Sequence, residues 1–92
     1  MKNRRVHLVV EGMVQRVCFR DSTRRKAMEY EIKGWVKNRP DGTVEIVAEG
    51  PEEDIRSFVE WCRKGPPYAV VSKITEYPQE YMNEFDSFDI VF

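Results

Sequence analysis

Cysteine, histidine and long apolar runs are all scarce in this chain, and each scarcity closes off a class of function. Its two cysteines, Cys18 and Cys62, include no CxxC pair and make no disulfide framework. A lone His7 beside two distant cysteines supplies no ligand set for a structural zinc. The acidic residues form no Asp/His cluster, so no metal site is expected. The longest apolar run near the start, Leu8-Val9-Val10, is too short for a signal-peptide core or a membrane span. The expectation is therefore no membrane association and a cytoplasmic location. Repeats, low-complexity tracts and linkers are also missing, and 92 residues allow one domain, residues 1–92.

What is present is enough for a core. The chain is 41% hydrophobic, with five Phe, four Tyr and two Trp, and a domain of this size buries roughly 60–70% of its unfolded surface. A net charge of −1 conceals two unlike halves. Residues 1–40 carry eleven Lys and Arg against four acids, a net of +7; residues 41–92 carry four against twelve, a net of −8. The basic half can attract an anion, although a solvated helix face at Arg24-Arg25-Lys26 accounts for part of the excess.

Periodicity orders the elements. Val6, Leu8 and Val10 alternate with His7, Val9 and Glu11 and predict a strand near 4–12. Phe19, Thr23, Ala27 and Tyr30 share one face of a helix from Arg20 to about Tyr30. A strand opens at Trp35, and Asn38-Arg39-Pro40-Asp41-Gly42 is a turn signal leading to a strand over Thr43–Glu49. Gly50-Pro51 and three acids start a helix whose stripe is Ile55, Phe58, Val59 and Cys62, and Gly65-Pro66-Pro67 stops it. Val70 to Tyr77 reads as a strand, and Phe88, Ile90 and Phe92 alternate in a last one. This βαββαβ order predicts an α+β, ferredoxin-like split βαβ sandwich: one antiparallel sheet with two helices on one face, plus a short last strand. That fold hosts many functions and decides none.

Chemistry is concentrated between the first strand and the first helix, at Gly12-Met13-Val14-Gln15-Arg16-Val17-Cys18-Phe19-Arg20. A short loop there can turn backbone N–H groups inward beside the positive end of the helix dipole, a cradle for phosphate or sulfate. Arg20 adds a planar fork of donors. Spacing alone favours an ordinary strand–helix connection with an arginine on its surface. Cys18 lies in the loop, but no His or Asp spacing supports activating it as a nucleophile. Cys62 belongs to the core stripe, His7 is expected to be exposed or locally satisfied, and Trp35, Trp61 and the tyrosines are expected mostly in packing. The third strand, Thr43-Val44-Glu45-Ile46-Val47-Ala48-Glu49, offers no aromatic for base stacking and carries two acids, which argues against nucleic-acid binding of the RNA-recognition type.

Taken together, Val14-Gln15-x-Val17-x-Phe19-Arg20, Gly34-Trp35-Val36-Lys37-Asn38-x-x-x-Gly42-x-Val44-Glu45, Gly50, Gly65-Pro66-Pro67 and Phe88-Asp89-Ile90 resemble the acylphosphatase family across the whole chain. The resemblance implies metal-free and cofactor-free hydrolysis of a small-molecule acyl phosphate to a carboxylate and inorganic phosphate, by a small cytosolic monomer. It implies that Arg20 binds the phosphoryl group and that Asn38 orients the attacking water. Gln15, Arg16, Val17, Cys18 and Phe19 would form the phosphate-binding loop through their backbone N–H groups, with phosphate or sulfate as product-like ligands. A family-like domain also occurs inside larger carbamoyl-transferring maturation proteins; this chain is read as free-standing.

Three positions depart from the family pattern. Arg16 replaces a glycine in the middle of the cradle, Glu31 stands where a helix-ending glycine is common, and Val91 replaces a basic residue near the end of the last strand. If position 16 needs φ > 0, arginine there costs roughly 1–2 kcal/mol or diverts the loop. The alternative function is accordingly an acylphosphatase-like anion-binding module with weak or no turnover.

Overall fold

Alternating apolar residues in the first strand and matching stripes on two helices build a single layered core, seen in a computed structural model that describes residues 2–92. The order is β1 (Asn3–Met13), α1 (Phe19–Glu29), β2 (Lys33–Asn38), β3 (Val44–Pro51), α2 (Glu52–Lys64), β4 (Val70–Gln79) and β5 (Phe88–Val91). One five-stranded sheet runs β4-β1-β3-β2-β5. Val6, Leu8 and Val10 of β1 pair with Ala48, Ile46 and Val44 of β3, and all six are fully buried. Ile55, Phe58, Val59 and Cys62 of α2 and Phe19, Thr23 and Ala27 of α1 cover that face. Burial of each large side chain here contributes about 1.5–3 kcal/mol. It also pushes the Cys62 thiol well above its ordinary pKa, so Cys62 is an inert part of the core.

The sandwich is as predicted, with one refinement. β4, β1, β3 and β2 pair antiparallel, but β5 joins β2 in parallel, so the sheet is mixed. Consecutive strands β4 and β5 occupy opposite edges, and residues 80–87 cross the sheet face that carries no helix. Glu49 anchors that crossing. Periodicity sets Glu49 on the outer face of β3, yet only 3% of it is exposed. Its carboxylate accepts from the backbone N–H of Met82 (2.8 Å) and of Glu84 (3.1 Å), and from Arg5 Nη1 (3.3 Å). A buried carboxylate is tolerated because these donors replace water. Burial alone would lower the Arg5 pKa, but bonds and charge from Glu84 and Glu49 outweigh it and raise it.

Several expected packing roles are corrected. Phe92 lies beyond β5 and is 94% exposed, rather than the third inward residue of an alternating strand. Tyr68 and Tyr77 are exposed too: Tyr68 follows the Pro66-Pro67 stop, and Tyr77 sits on the open face, where its ring stacks on His7 at 5.4 Å. His7 is locally satisfied as expected, 2.8 Å from Glu45 Oε2. Trp61 is half-buried with its ring 6.0 Å from that of Phe19. Glu31 adopts φ 53°, the left-handed helix-ending conformation that glycine commonly supplies.

Candidate active site

Antiparallel pairing of β1 with β3 and of β3 with β2 makes β1 and β2 run the same way, and β5 follows β2. Three strands therefore finish at one end of the sheet. The loop after β1, Asn38 at the end of β2, and the residues ending β5 meet there.

Gly12 begins the loop. The β1–β4 register shifts between Glu11 and Gly12, and Gly12 takes φ 127°. A Cβ at that position would stand 2.1 Å from the Val70 carbonyl oxygen, so only glycine permits this approach. Beyond it, apolar residues pin the loop from below. Val14 and Phe19 are fully buried, and Val17 packs against the core. The intervening Arg16 and Cys18 are left facing solvent. Both are left-handed, at φ 63° and φ 61°. Left-handed residues alternating with others in a tight turn are the backbone pattern from which anion-binding concavities of N–H groups are built.

Cys18 is the N-cap of α1 and makes no side-chain cap bond; its carbonyl accepts from the Ser22 N–H at 3.0 Å. The first amides of α1 thus face no capping oxygen, and the positive end of the helix points into the loop.

Gln15 holds this cradle to the next element. Its Nε2 donates to the carbonyls of Arg39 (2.8 Å) and Thr43 (2.9 Å), tying the loop to the β2–β3 turn. That turn carries Asn38 at its start. Asn38 Oδ1 is buried and meets no hydrogen-bond partner among the described residues, an orphan acceptor that costs about 1–3 kcal/mol unless something donates to it. Arg20, in the first turn of α1, places its guanidinium carbon 5.0 Å from the centre of the Phe92 ring.

These groups enclose a cavity of about 160 Å³ lined by Val14, Arg16, Cys18, Phe19, Arg20, Asp21, Asn38, Ile90 and Phe92. Larger hollows of about 570 and 640 Å³ exist elsewhere, but neither contains an orphaned polar atom. Arg16, Cys18, Phe19, Arg20 and Asn38 are thus brought together. The side chains of Gln15 and Val17 are not on the cavity: the first braces the turn and the second anchors the loop.

Sequence reasoning missed Ile90 and Phe92 as walls of this cavity. Their alternation with Phe88 is a core pattern, and only the parallel pairing of β5 with β2 carries them to the cradle. Asp21 also lines it, with its carboxylate engaged by Arg25.

Known proteins resemble the chain along nearly its whole length. A protein-family model described as Acylphosphatase matches residues 6–90. The chain is 47% identical to an acylphosphatase of Pelotomaculum thermopropionicum over 92 residues, the whole of both chains. It is 42% identical to one of Syntrophus aciditrophicus over 89 residues, 97% of this chain and 93% of that one. The crystal structure of acylphosphatase from Bacillus subtilis superposes with a TM-score of 0.93 at 39% identity, covering 97% of this chain and 99% of that one.

Proposed function

The chain belongs to the acylphosphatase family, and from that premise we propose that it hydrolyses acyl phosphates with Arg20 as phosphoryl anchor and Asn38 as the residue that orients water. The activity is the family's own: an acyl phosphate and water give a carboxylate and inorganic phosphate. The observation that carries the proposed division of labour is the buried, unpartnered Asn38 Oδ1 on the wall of the cavity that Arg20 and the loop also line.

The chemistry suits these parts. The phosphoryl group sits on the loop amides of residues 15–19, with the Arg20 guanidinium on its oxygens. Water donates one hydrogen bond to Asn38 Oδ1, which directs its lone pair at phosphorus. The new P–O bond forms as the bond to the acyl oxygen breaks, and the protons of the water stay with phosphate. The leaving carboxylate has a conjugate-acid pKa of about 4, so it departs without a general acid. A loose phosphoryl transition state needs positioning and charge stabilisation more than a strong base. The reaction written this way asks for no metal and no cofactor.

Arg16 keeps the left-handed backbone that a glycine would supply. Its presence there costs roughly 1–2 kcal/mol, and a left-handed backbone at this position supports turnover over the reading of a silent anion-binding module. All the groups invoked come from one chain, so the proposed reaction asks for no residue of a second subunit. The free Cys18 and Cys62 suit a reducing, cytoplasmic compartment, and no helix among the described residues is long and apolar enough to cross a membrane.

The test is hydrolysis of benzoyl phosphate with excess chelator, with and without inorganic phosphate. The unaltered chain is expected to turn over and to be inhibited by phosphate. Arg20→Ala is expected to lose about 10³-fold in kcat/KM together with the inhibition. Phosphate inhibition that persists unchanged in Arg20→Ala would remove Arg20 from its role.

A further inference from the structure

Arg16 is a costly residue for its position, and among the described residues nothing pairs with its charge. Its backbone is held at φ 63°, a conformation that disfavours any residue with a Cβ. Its side chain is exposed and lines the small cavity with Arg20 and Asn38. Among the described residues no carboxylate forms an ion pair with it. Asp21 is the one acid on the cavity, and its carboxylate is already engaged by Arg25. The mouth of the cavity therefore presents an uncompensated cation in addition to Arg20.

Size says which part of a substrate meets that cation. The cavity is small, about 160 Å³, on the scale of a phosphoryl group with its attacking water rather than of an aromatic acyl phosphate. A bulky acyl group then projects through the mouth, past the exposed side chains of Arg16 and Phe92. One face of the Phe92 ring is already committed to Arg20, whereas Arg16 is free.

Resting on the hydrolase reading above, we propose that the Arg16 side chain is a specificity group that favours acyl phosphates carrying a second anionic group on the acyl moiety. The loop amides and Arg20 hold the phosphoryl group common to every substrate. Arg16 recognises what distinguishes them, a carboxylate or phosphate borne by the acyl part. The same bond is broken in either case, and the second anion takes no part in the chemistry. A guanidinium at the mouth is suited to this because it forms a paired donor fork that matches a planar carboxylate.

The experiment compares kcat/KM for 3- and 4-carboxybenzoyl phosphate with that for benzoyl phosphate, in the unaltered chain, Arg16→Gln and Arg16→Lys. Dividing each variant's ratio by the ratio of the unaltered chain cancels intrinsic differences in leaving-group reactivity. Arg16→Gln is expected to lower the better carboxybenzoyl-to-benzoyl ratio about three- to fivefold, the scale of an exposed ion pair. Arg16→Lys is expected to restore much of it, and the preference of the unaltered chain is expected to shrink as salt rises from 0.01 to 1 M, because screening shortens its reach. A ratio unmoved by Arg16→Gln would overturn the proposal. So would an equal loss on all three substrates, which would place the Arg16 charge on the phosphoryl group. Failure of the unaltered chain to hydrolyse any of them would overturn the hydrolase reading, and this proposal with it.

Discussion

At the scale of single residues, the site is a set of side chains held still by neighbours that do no chemistry. Phe92 shows this best. Its ring lies against the Arg20 guanidinium, a contact worth about 0.5–1 kcal/mol at an exposed position. Phe92→Ala is expected to lower kcat/KM for benzoyl phosphate about two- to fivefold, with Phe92→Tyr near the unaltered value; equal activity in all three would show that Arg20 needs no support. Arg20 and Asn38 were legible in the sequence because the motifs around them resemble a family whose chemistry uses those residue types. Phe92 was not, because its side of the sheet depends on a pairing between residues more than fifty positions apart. The left-handed turn at Arg16 was visible only as a conditional: a glycine was expected there, and the strain follows from the residue that replaced it. Gln15 was placed in the cradle, but its side chain serves the neighbouring turn.

At the scale of elements, the β2–β3 turn is what carries Asn38 to the cradle. Asp41 stabilises it: its Oδ1 accepts from the Thr43 hydroxyl at 2.6 Å and from the Thr43 N–H at 3.0 Å. The bond from the Thr43 side chain, then that from its backbone N–H, holds the Asp41 carboxyl below its ordinary value of 3.8. A group depressed on folding contributes stability above its unfolded pKa and loses it as pH falls through the lower folded value. In denaturant melts between pH 5 and pH 2.5, the unaltered chain is therefore expected to lose more stability than Asp41→Asn; parallel losses would contradict that assignment.

The turn itself was readable, since Pro-Asp-Gly announces a reversal. So were both helices, whose buried residues sit where the stripes put them. The parallel placement of β5 was not. A four-residue strand carries no mark of which edge it joins, and the crossing that sends it there is fastened by Glu49, an acid that alternation assigns to the outer face.

At the scale of the whole molecule, one core serves both helices and the sheet, so the site's precision depends on packing far from it. Phe58 is fully buried and meets Phe88 of β5 edge-on at 6.0 Å, linking α2 to the strand that leads to Ile90 and Phe92. Phe58→Ala is expected to cost about 3–5 kcal/mol, a large share of the roughly 5–15 kcal/mol that domains possess. Urea titration measures it, and a loss below about 1 kcal/mol would mean that the core is not continuous across that contact. Charge is also organised at this scale. The basic excess of residues 1–40 includes Arg16 and Arg20 on the cavity, although charge alone favoured a solvated helix face over an anion site. Not all of that excess is functional: Arg25 and Lys26 are paired with Asp21 and Glu29 along α1, as the surface-face reading anticipated.

The central claim is that holding phosphate and directing water are separate tasks, assigned to Arg20 with the loop and to Asn38. The most direct test is Asn38→Ala, with benzoyl phosphate turnover and the inhibition constant for inorganic phosphate measured on the same preparation. A fall in kcat of about 10²-fold or more is expected, with the inhibition constant changed by no more than about twofold. Loss of phosphate affinity in step with kcat/KM would contradict it, and would make Asn38 a phosphate ligand instead.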